Sequence, residues 1–366
     1  AEALPNPQAV YGADLMSRLS HALGGEANRL ALQEQVLEAV RQMLARLCRK
    51  AGVSPEAVTG ATLVGNTAMH HLFLGLPVAD LALAPYRPAV LAGYEATLPG
   101  LPPLYALPNV AGFVGADAVG AALAVGLDET AATTLLVDIG TNGEMLLAHR
   151  GQIYACSAPA GPAFEGGEIS QGMRANPGAI ESVTFDGTRL AVGVIPGAPP
   201  RGICGSGLLD AAAALLQSGW MEHTGRLVSG QAVALTEGVN LTQKDIRSLQ
   251  LAKGAIRSGI DLLLHVAGIE PAQVEAIRLA GAFGNYLRPE SALAIGLLPP
   301  VPPERVVPVG NSAAAGAKLA LLSAAARERA EALAARVQHI DLATHPDFEE
   351  IFMVALDFPR QGATGR

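Results

Sequence analysis

The chain has 366 residues, 50% hydrophobic, 16% charged and 4% aromatic, and its 33 acidic residues outnumber 25 basic ones for a formal net charge of -8. So much packing material and so little charge exclude a disordered chain, and a length near two average domains allows more than one core. The acidic balance, with no basic run, excludes a nucleic-acid or anionic-membrane surface as the main partner.

The first residues, AEALPNPQ, hold no charged stretch leading into an apolar one, so no signal peptide is read there. From Leu30 to Ala51 the residues Leu32, Val36, Leu37, Val40, Leu44 and Leu47 share one stripe, which predicts an amphipathic helix ended by Gly52. A strand over Ala61 to Val64 follows and runs through Gly65-Asn66-Thr67 into a second helix. GATLVGNT, Gly60 to Thr67, nearly has Walker A spacing, but Asn66 stands where a Lys must reach the phosphates, and a P-loop is rejected. His70 and His71 are adjacent on this helix, point to different faces and read as core or surface histidines. Leu76 to Pro108 predicts loop and short strand, and Phe113 to Gly126 a helix packed through small residues. Val110 to Leu127 is the most membrane-like stretch, yet Asp117 in its middle makes it a buried helix.

LLVDIGTNGEMLL, Leu135 to Leu147, predicts a hairpin with strands Thr133 to Asp138 and Glu144 to His149 and with Asn142-Gly143 at positive φ in the turn. The same residues could serve chemistry. Gly140, Thr141, Asn142 and Gly143 could offer several backbone N–H groups to a phosphate, and Asp138 could hold Mg2+ through water. Pro159 to Gly178 reads as loop, where Glu165 or Glu168 could orient a water or a metal ion, or simply be solvated. Two strands around Asp186-Gly187 fill Val183 to Ile195.

GICGSGLLD, Gly202 to Asp210, opens a helix reaching Ser218. Gly205 and Gly207 permit close backbone approach and Ser206 lies near a helix N-terminus that favours an anion, although a capped helix reads the same way. A helix over Lys244 to Ala267 precedes a strand, Val274 to Ala280, that runs into Gly281-Ala282-Phe283-Gly284. There a flat ring could lie against the backbone, or a strand could pack tightly on a helix. Asn311 to Val337 predicts one or two Ala-rich helices, and Ile340 to Pro359 a strand and a helix. Cys48, Cys156 and Cys204 are too dispersed for a disulfide framework or a closed metal site and read as reduced, buried thiols.

One repetition is visible. ATLVGNTAMHHLFLG (Ala61 to Gly75) and IRLAGAFGNYLRPE (Ile277 to Glu290) are each a strand, a Gly turn and a helix, and GFVGADAVGAALAVG and GNSAAAGAKLALL follow them at similar distances. Two such halves suggest a duplicated α/β fold with its ligand between them.

VDIGTNGE, the AGPAFEGG loop, GICGSGL and LAGAFGNYL, in this order, resemble the acetate and sugar kinase, heat-shock and actin superfamily of ATPases. NPQAVYGADLMSR (Asn6 to Arg18), VGNTAMHHL, APYRP (Ala84 to Pro88) and HPDFEEIFMVALDFP are similar to the C-terminal ATPase region of reductive activators of corrinoid proteins, over nearly the whole chain. The resemblance implies an α/β, duplicated ribonuclease H-like (actin-like ATPase) fold with two subdomains around a nucleotide cleft. Residues 1–130 would form a first, incomplete subdomain, 131–325 the second with the nucleotide motifs, and 326–366 a C-terminal helix and strand packing on the core. It implies ATP or ADP with Mg2+, Asp138 near the metal and Gly140 to Gly143 at the phosphates. Gly205, Ser206 and Gly207 would stand nearby, and Gly281, Ala282, Phe283 and Gly284 would take the adenosine, with Gly310, Asn311 and Ser312 starting the helix beside it. Asp138 and Glu165 are the candidate catalytic acids.

The family's members resemble ferredoxin–ATPase fusions in which a plant-type [2Fe–2S] domain delivers an electron to a corrinoid, returning inactive Co(II) to Co(I). The resemblance implies a cytoplasmic homodimer whose partner is a corrinoid protein of a methyltransferase system, with no nucleic acid and no membrane. Two departures matter. No C-x4-C-x2-C run is present, so the [2Fe–2S] ligands are not in this chain, and the family's earlier Asp-Gly-Thr phosphate hairpin precedes the NPQ segment with which this chain begins. A C-terminal piece of a longer protein is therefore expected, binding nucleotide weakly and hydrolysing it poorly by itself. The alternatives are a non-catalytic docking and dimerisation platform, or a small-molecule kinase of the same superfamily.

Overall fold

The computed structural model describes residues 1–12, 14–284 and 286–360, and of Ala282 only the backbone. Helix α1 (Leu15–Leu23) starts at Asp14, whose carboxylate accepts from the Ser17 N–H and hydroxyl. Helix α2 (Glu26–Ala51) stops where Gly52 turns left-handed at φ 69°. Strand β1 (Ala61–Leu63) leads to α3 (Thr67–Leu74), capped by Asn66, which accepts from Met69 N–H. Then come α4 (Ala79–Ala82), β2 (Tyr94–Ala96), β3 (Leu104–Ala106) and α5 (Ala116–Ala124). Strands β4 (Thr134–Ile139), β5 (Asn142–His149) and β6 (Gln152–Pro159) form an antiparallel meander. They are followed by β7 (Ala179–Phe185), β8 (Leu190–Val194), β9 (Gly202–Ile203), α6 (Gly205–Gln217), β10 (Ala232–Thr236) and β11 (Val239–Thr242). A Thr242/Asp245 capping box starts α7 (Gln243–Ala267). The remaining elements are β12 (Ala276–Ala280), α8 (Gly281–Gly284), α9 (Pro289–Ala294), β13 (Val306–Gly310), α10 (Ser312–Leu322), α11 (Ala324–Arg336), β14 (Val337–His339) and α12 (Phe348–Leu356). No helix among the described residues is long and apolar enough to cross a membrane.

Two compact units result, Ala1–Asp128 with Ser312–His339, and Glu129–Asn311 with the described chain from Ile340 onward. In the second unit the strands lie in the order β13-β12-β4-β5-β6, with β12 parallel to both β4 and β13. An antiparallel meander joined by two parallel strands on the side of its first strand is the ribonuclease H-like α/β arrangement. Helix α7 covers β5 and β6, and buried Leu135, Val137, Met145, Leu147, Ile256, Ile260 and Leu263 fill the layer between. Each such side chain is worth about 1.5–3 kcal/mol on burial. Helix α12 is held on α7 by Lys253, whose ammonium donates to Ala355 O at 2.7 Å beneath the Phe358 ring. Burial and the nearby Arg257 charge lower the Lys253 pKa to about 7.

The hairpin differs from its sequence reading in one respect. Ile139 pairs with Gly143, so the reversal is made by Gly140, Thr141 and Asn142, and neither Asn142 nor Gly143 has positive φ. Gly143 instead belongs to β5, and a Cβ there would come 2.9 Å from Ile256 Cγ1 of α7. The glycine is needed for the approach of the helix, not for the turn.

In the first unit β1 runs parallel to β3, and β2 antiparallel to it. Helix α10 lies beside β1, where the Thr62 hydroxyl donates to Ala317 O at 2.8 Å. The repeat seen in the sequence is realised: β1 with α3, and β12 with α8, each precede a parallel partner, β3 or β13, and then an Ala-rich helix, α5 or α10. The two Ala-rich helices cross on each other at glycines, since a Cβ on Gly316 would stand 1.9 Å from Gly120 O. His70 and His71 are core residues. His71 donates from Nδ1 to Thr67 O and accepts at Nε2 from the Ala89 and Val90 N–H groups, while burial lowers the His70 pKa to about 4.

Gly316→Ala would ordinarily favour a helix by about 1 kcal/mol. Here the crossing must open to admit the methyl group, and a net loss of about 2 kcal/mol is expected from overpacking. Urea unfolding measures it; an unchanged or raised midpoint contradicts the crossing.

Candidate functional site

Three parallel strands of the second unit end side by side. Asp138 at the end of β4 is in register with Ala280 of β12, and Ala280 with Gly310 of β13. The carboxyl ends of neighbouring parallel strands are where open α/β sheets receive ligands. Directly after Ala280 the chain turns at Gly281, with φ +87°, and a Cβ there would lie 2.5 Å from Asp138 Oδ1. Only glycine satisfies both the dihedral and the space.

Among the described residues no hydrogen bond or ion pair reaches the Asp138 carboxylate, and burial pushes its pKa above the usual carboxylate range. An ionised acid in that setting is costly unless a cation or donor compensates it. The donor chemistry therefore fits Mg2+, which takes one or two carboxylates, keeps several waters and binds phosphate oxygens. Glu144 stands opposite Asp138 on β5 and is buried. The sequence reading passed over it as a site residue, although hairpin pairing alone puts it across from Asp138.

The hairpin turn is fastened to the short 3-10 turn Pro162–Glu165. Thr141 Oγ1 donates to Glu165 Oε1 at 2.6 Å, and Gly161 N–H donates to Thr141 O at 3.0 Å. In that 3-10 turn Phe164 stacks on Phe283 of α8, with centroids 5.4 Å apart and planes 26° apart. The N-terminus of α6 meets this pair: a Cβ on Gly205 would stand 1.9 Å from Phe164 O and 2.5 Å from Phe283 Cε2. The segments singled out from the sequence thus close into one ring of contacts, from Asp138 to Gly281, Phe283, Gly205, Phe164, Glu165 and Thr141, and back along the hairpin to Asp138.

The other predicted residues lie outside this ring of contacts. Gly207 packs on β7, where a Cβ would meet Ile180 O at 2.2 Å, and Ser206 Oγ donates to Glu181 O at 2.9 Å. Gly284 lies against Leu279, and Asn311 is exposed after Gly310, whose φ is 69°. Glu168 is exposed at φ 59°, and its carbonyl accepts from Ser248. The side chain of Ala282 lies outside the described residues. Cys48, Cys156 and Cys204 are buried free thiols, and no group of three or more metal-binding side chains occurs among the described residues. Phe164 was missed as a site residue because its partner is 119 positions away in sequence.

The sheet order, the fastened hairpin turn and the glycine turn over the strand-end acid define a ribonuclease H-like domain of the acetate and sugar kinase, heat-shock and actin class. The comparisons narrow this. Residues 132–365 match the family model described as the C-terminal domain of RACo, the ASKHA domain, and residues 1–130 match the RACo middle region. The chain belongs to the RACo family. It is 35% identical to the corrinoid activation enzyme RamQ of Eubacterium limosum, over 95% of this chain and 64% of that protein. It is 30% identical to the [Co(II) methylated amine-specific corrinoid protein] reductase of Methanosarcina barkeri, over 68% of this chain and 50% of that one. A solved structure titled reductive activator for corrinoid,iron-sulfur protein aligns at a TM-score of 0.84 and 33% identity, covering 97% of this chain and 61% of that chain. The chain thus spans between half and two thirds of the length of these relatives.

Because burial raises the folded pKa of Asp138 above its unfolded value, the stability this group contributes is present below the unfolded pKa and lost as pH rises through the folded one. Asp138→Asn, isosteric and uncharged, is therefore expected to melt higher than the wild type at pH 7 without divalent cations. The difference should close below about pH 3.9. Thermal melts between pH 3 and 8 check this, and a lower melting temperature for the variant at pH 7 contradicts it.

Proposed function

We propose that this chain is the ATP-binding and ATP-hydrolysing part of a reductive activator that returns a corrinoid protein from Co(II) to Co(I) before methyl transfer. The observation that carries the reading is the half-buried Asp138 carboxylate beneath Gly281, without a hydrogen-bond or ion-pair partner among the described residues, at the end of three parallel strands, in a chain whose relatives are named for corrinoid activation. In this reading Asp138 would hold Mg2+, and of the Gly140 to Gly143 stretch the backbone of the Gly140 to Asn142 turn would face the phosphates, Gly143 being taken up by β5. Bound Mg2+ supplies charge neutralisation at the phosphoryl group. Glu165, oriented by the Thr141 hydroxyl, positions the attacking water, and Gly281 to Gly284 with Asn311 takes the adenosine.

Reduction of Co(II) to Co(I) consumes one electron. A [2Fe–2S] centre outside this chain would supply it, because the three dispersed, buried cysteines here offer no cluster ligands. ATP acts by coupling: nucleotide binding or turnover favours a docked state in which the uphill transfer proceeds. Residues 1–130, with which 312–339 pack, then supply the first subdomain and 131–311 the nucleotide motifs, in a homodimer that docks a corrinoid protein.

Calorimetric titration with ADP tests the nucleotide step. Binding is expected to need Mg2+, to be weaker than micromolar in this chain, and to fall at least about tenfold in Asp138→Asn. Equal affinity with and without Mg2+, or in wild type and variant alike, contradicts the assignment of Asp138. Phosphoryl transfer to an added carboxylic acid or sugar would favour a kinase instead.

A further inference from the structure

The GICGSGLLD segment ends in a buried acid to which the nucleotide reading gives no task. Asp210 lies on α6 and is 2% exposed, with Leu208, Leu209, Ala211 and Ala212 buried around it in sequence. Its Oδ1 accepts from the Ser291 hydroxyl of α9, and Oδ2 pairs with Arg288 Nη1 at 3.6 Å. Arg288 is the N-cap residue of α9, and its side chain is 46% exposed. Burial pushes the Asp210 pKa up, against the opposing pull of Ser291 and Arg288. An ion pair with one buried partner is weak evidence for stability, because an apolar residue of similar volume often serves packing as well or better. What the carboxylate adds is direction: a hydrogen bond from Ser291 to Oδ1 and the Arg288 charge beside Oδ2, which has no hydrogen-bond partner among the described residues, both at the start of α9.

Helix α6 thereby touches the segment Gly281 to Ser291 at both ends. At the near end Gly205 lies against the Phe283 ring, and at the far end Asp210 holds Arg288 and Ser291. Five residues of helix, about 7.5 Å, separate the two contacts. Between them the segment is pinned by buried Leu287, while Tyr286 is 74% exposed. We propose that Asp210 is a positioning residue that, through Arg288 and Ser291, holds Gly281 to Gly284 in the geometry that receives the adenosine of a bound nucleotide. Helix α6 then acts as a splint joining the Phe164–Glu165 side of the site to its adenosine side. The proposal rests on the nucleotide reading given above. Binding gains from such preorganisation because the segment need not be ordered when the ligand arrives.

The test is the affinity of the whole chain for Mg-ADP and Mg-tripolyphosphate in the wild type, Asp210→Asn, Arg288→Gln and the double variant, by calorimetry or ligand-observed NMR. Each single change is expected to weaken ADP about tenfold, and the double change also about tenfold, because both act through one contact. Tripolyphosphate, which lacks the adenosine, should bind all four proteins within about twofold. Losses that multiply in the double variant, equal losses for tripolyphosphate, or single variants within twofold of the wild type for ADP overturn the proposal. Ser291→Ala and Arg288→Gln carry the same test if Asp210→Asn does not fold. A wild type that binds no ADP overturns the nucleotide reading and this proposal together; a wild type that binds it beside unaffected variants overturns the positioning role alone.

Discussion

The close approach of Gly281 to Asp138 is the constraint around which the second unit is arranged. The main chain leaving β12 must turn at φ +87° within 2.5 Å, measured from the absent Cβ, of a carboxylate at the end of β4. That placement needs β4 and β12 parallel, adjacent and in register up to the end of β12, which the pairing of Asp138 with Ala280 provides. It also leaves the acid half-buried with no donor among the described residues, a state that lowers the stability of the ligand-free fold at neutral pH. A strand-end acid kept in this way is better matched to a bound cation than to packing.

Around this point glycine serves two different ends. At Gly281 the missing side chain opens space beside a polar group. At Gly143, Gly207 and Gly316 it lets one backbone element lie against another, with an added Cβ falling 2.9 Å from Ile256, 2.2 Å from Ile180 O and 1.9 Å from Gly120 O. Gly205 belongs to both groups, since it brings the N-terminus of α6 against the stacked Phe164 and Phe283 rings. The 41 glycines of the sequence are thus partly turn formers, partly packing positions and only in a few places candidates for ligand approach.

Local signals made much of this legible in the sequence. The apolar run from Thr134 to Ile139 and the Gly-rich reversal announced the hairpin, Gly52 announced the end of α2, and two strand–glycine–helix units announced the duplication. The misses have local causes too. Strand β13 contains Pro308, which weakens any strand reading, and Pro is tolerated there because β13 pairs only with β12 in the order of this unit. Strand β6 follows Arg150 and Gly151, whose φ values of 47° and 78° make a tight reversal that Arg-Gly does not advertise as strongly as Asn142-Gly143. Asn142-Gly143 in turn misled about the turn's position, because Gly143 answers to Ile256, 113 positions away. The Phe164–Phe283 stack and the Asp210–Arg288 pair were invisible for the same reason: each joins residues that only the fold brings together.

The central claim of the proposed function is that a metal–nucleotide complex binds at the end of β4. Anomalous diffraction from crystals of this chain grown with Mn2+ and ADP tests it most directly. The account predicts one manganese peak about 4 Å from the Asp138 carboxylate, bridged by water, with phosphate density at the Gly140–Asn142 turn and adenosine density beside Gly281 to Gly284. Manganese and nucleotide density remote from Asp138 would contradict it.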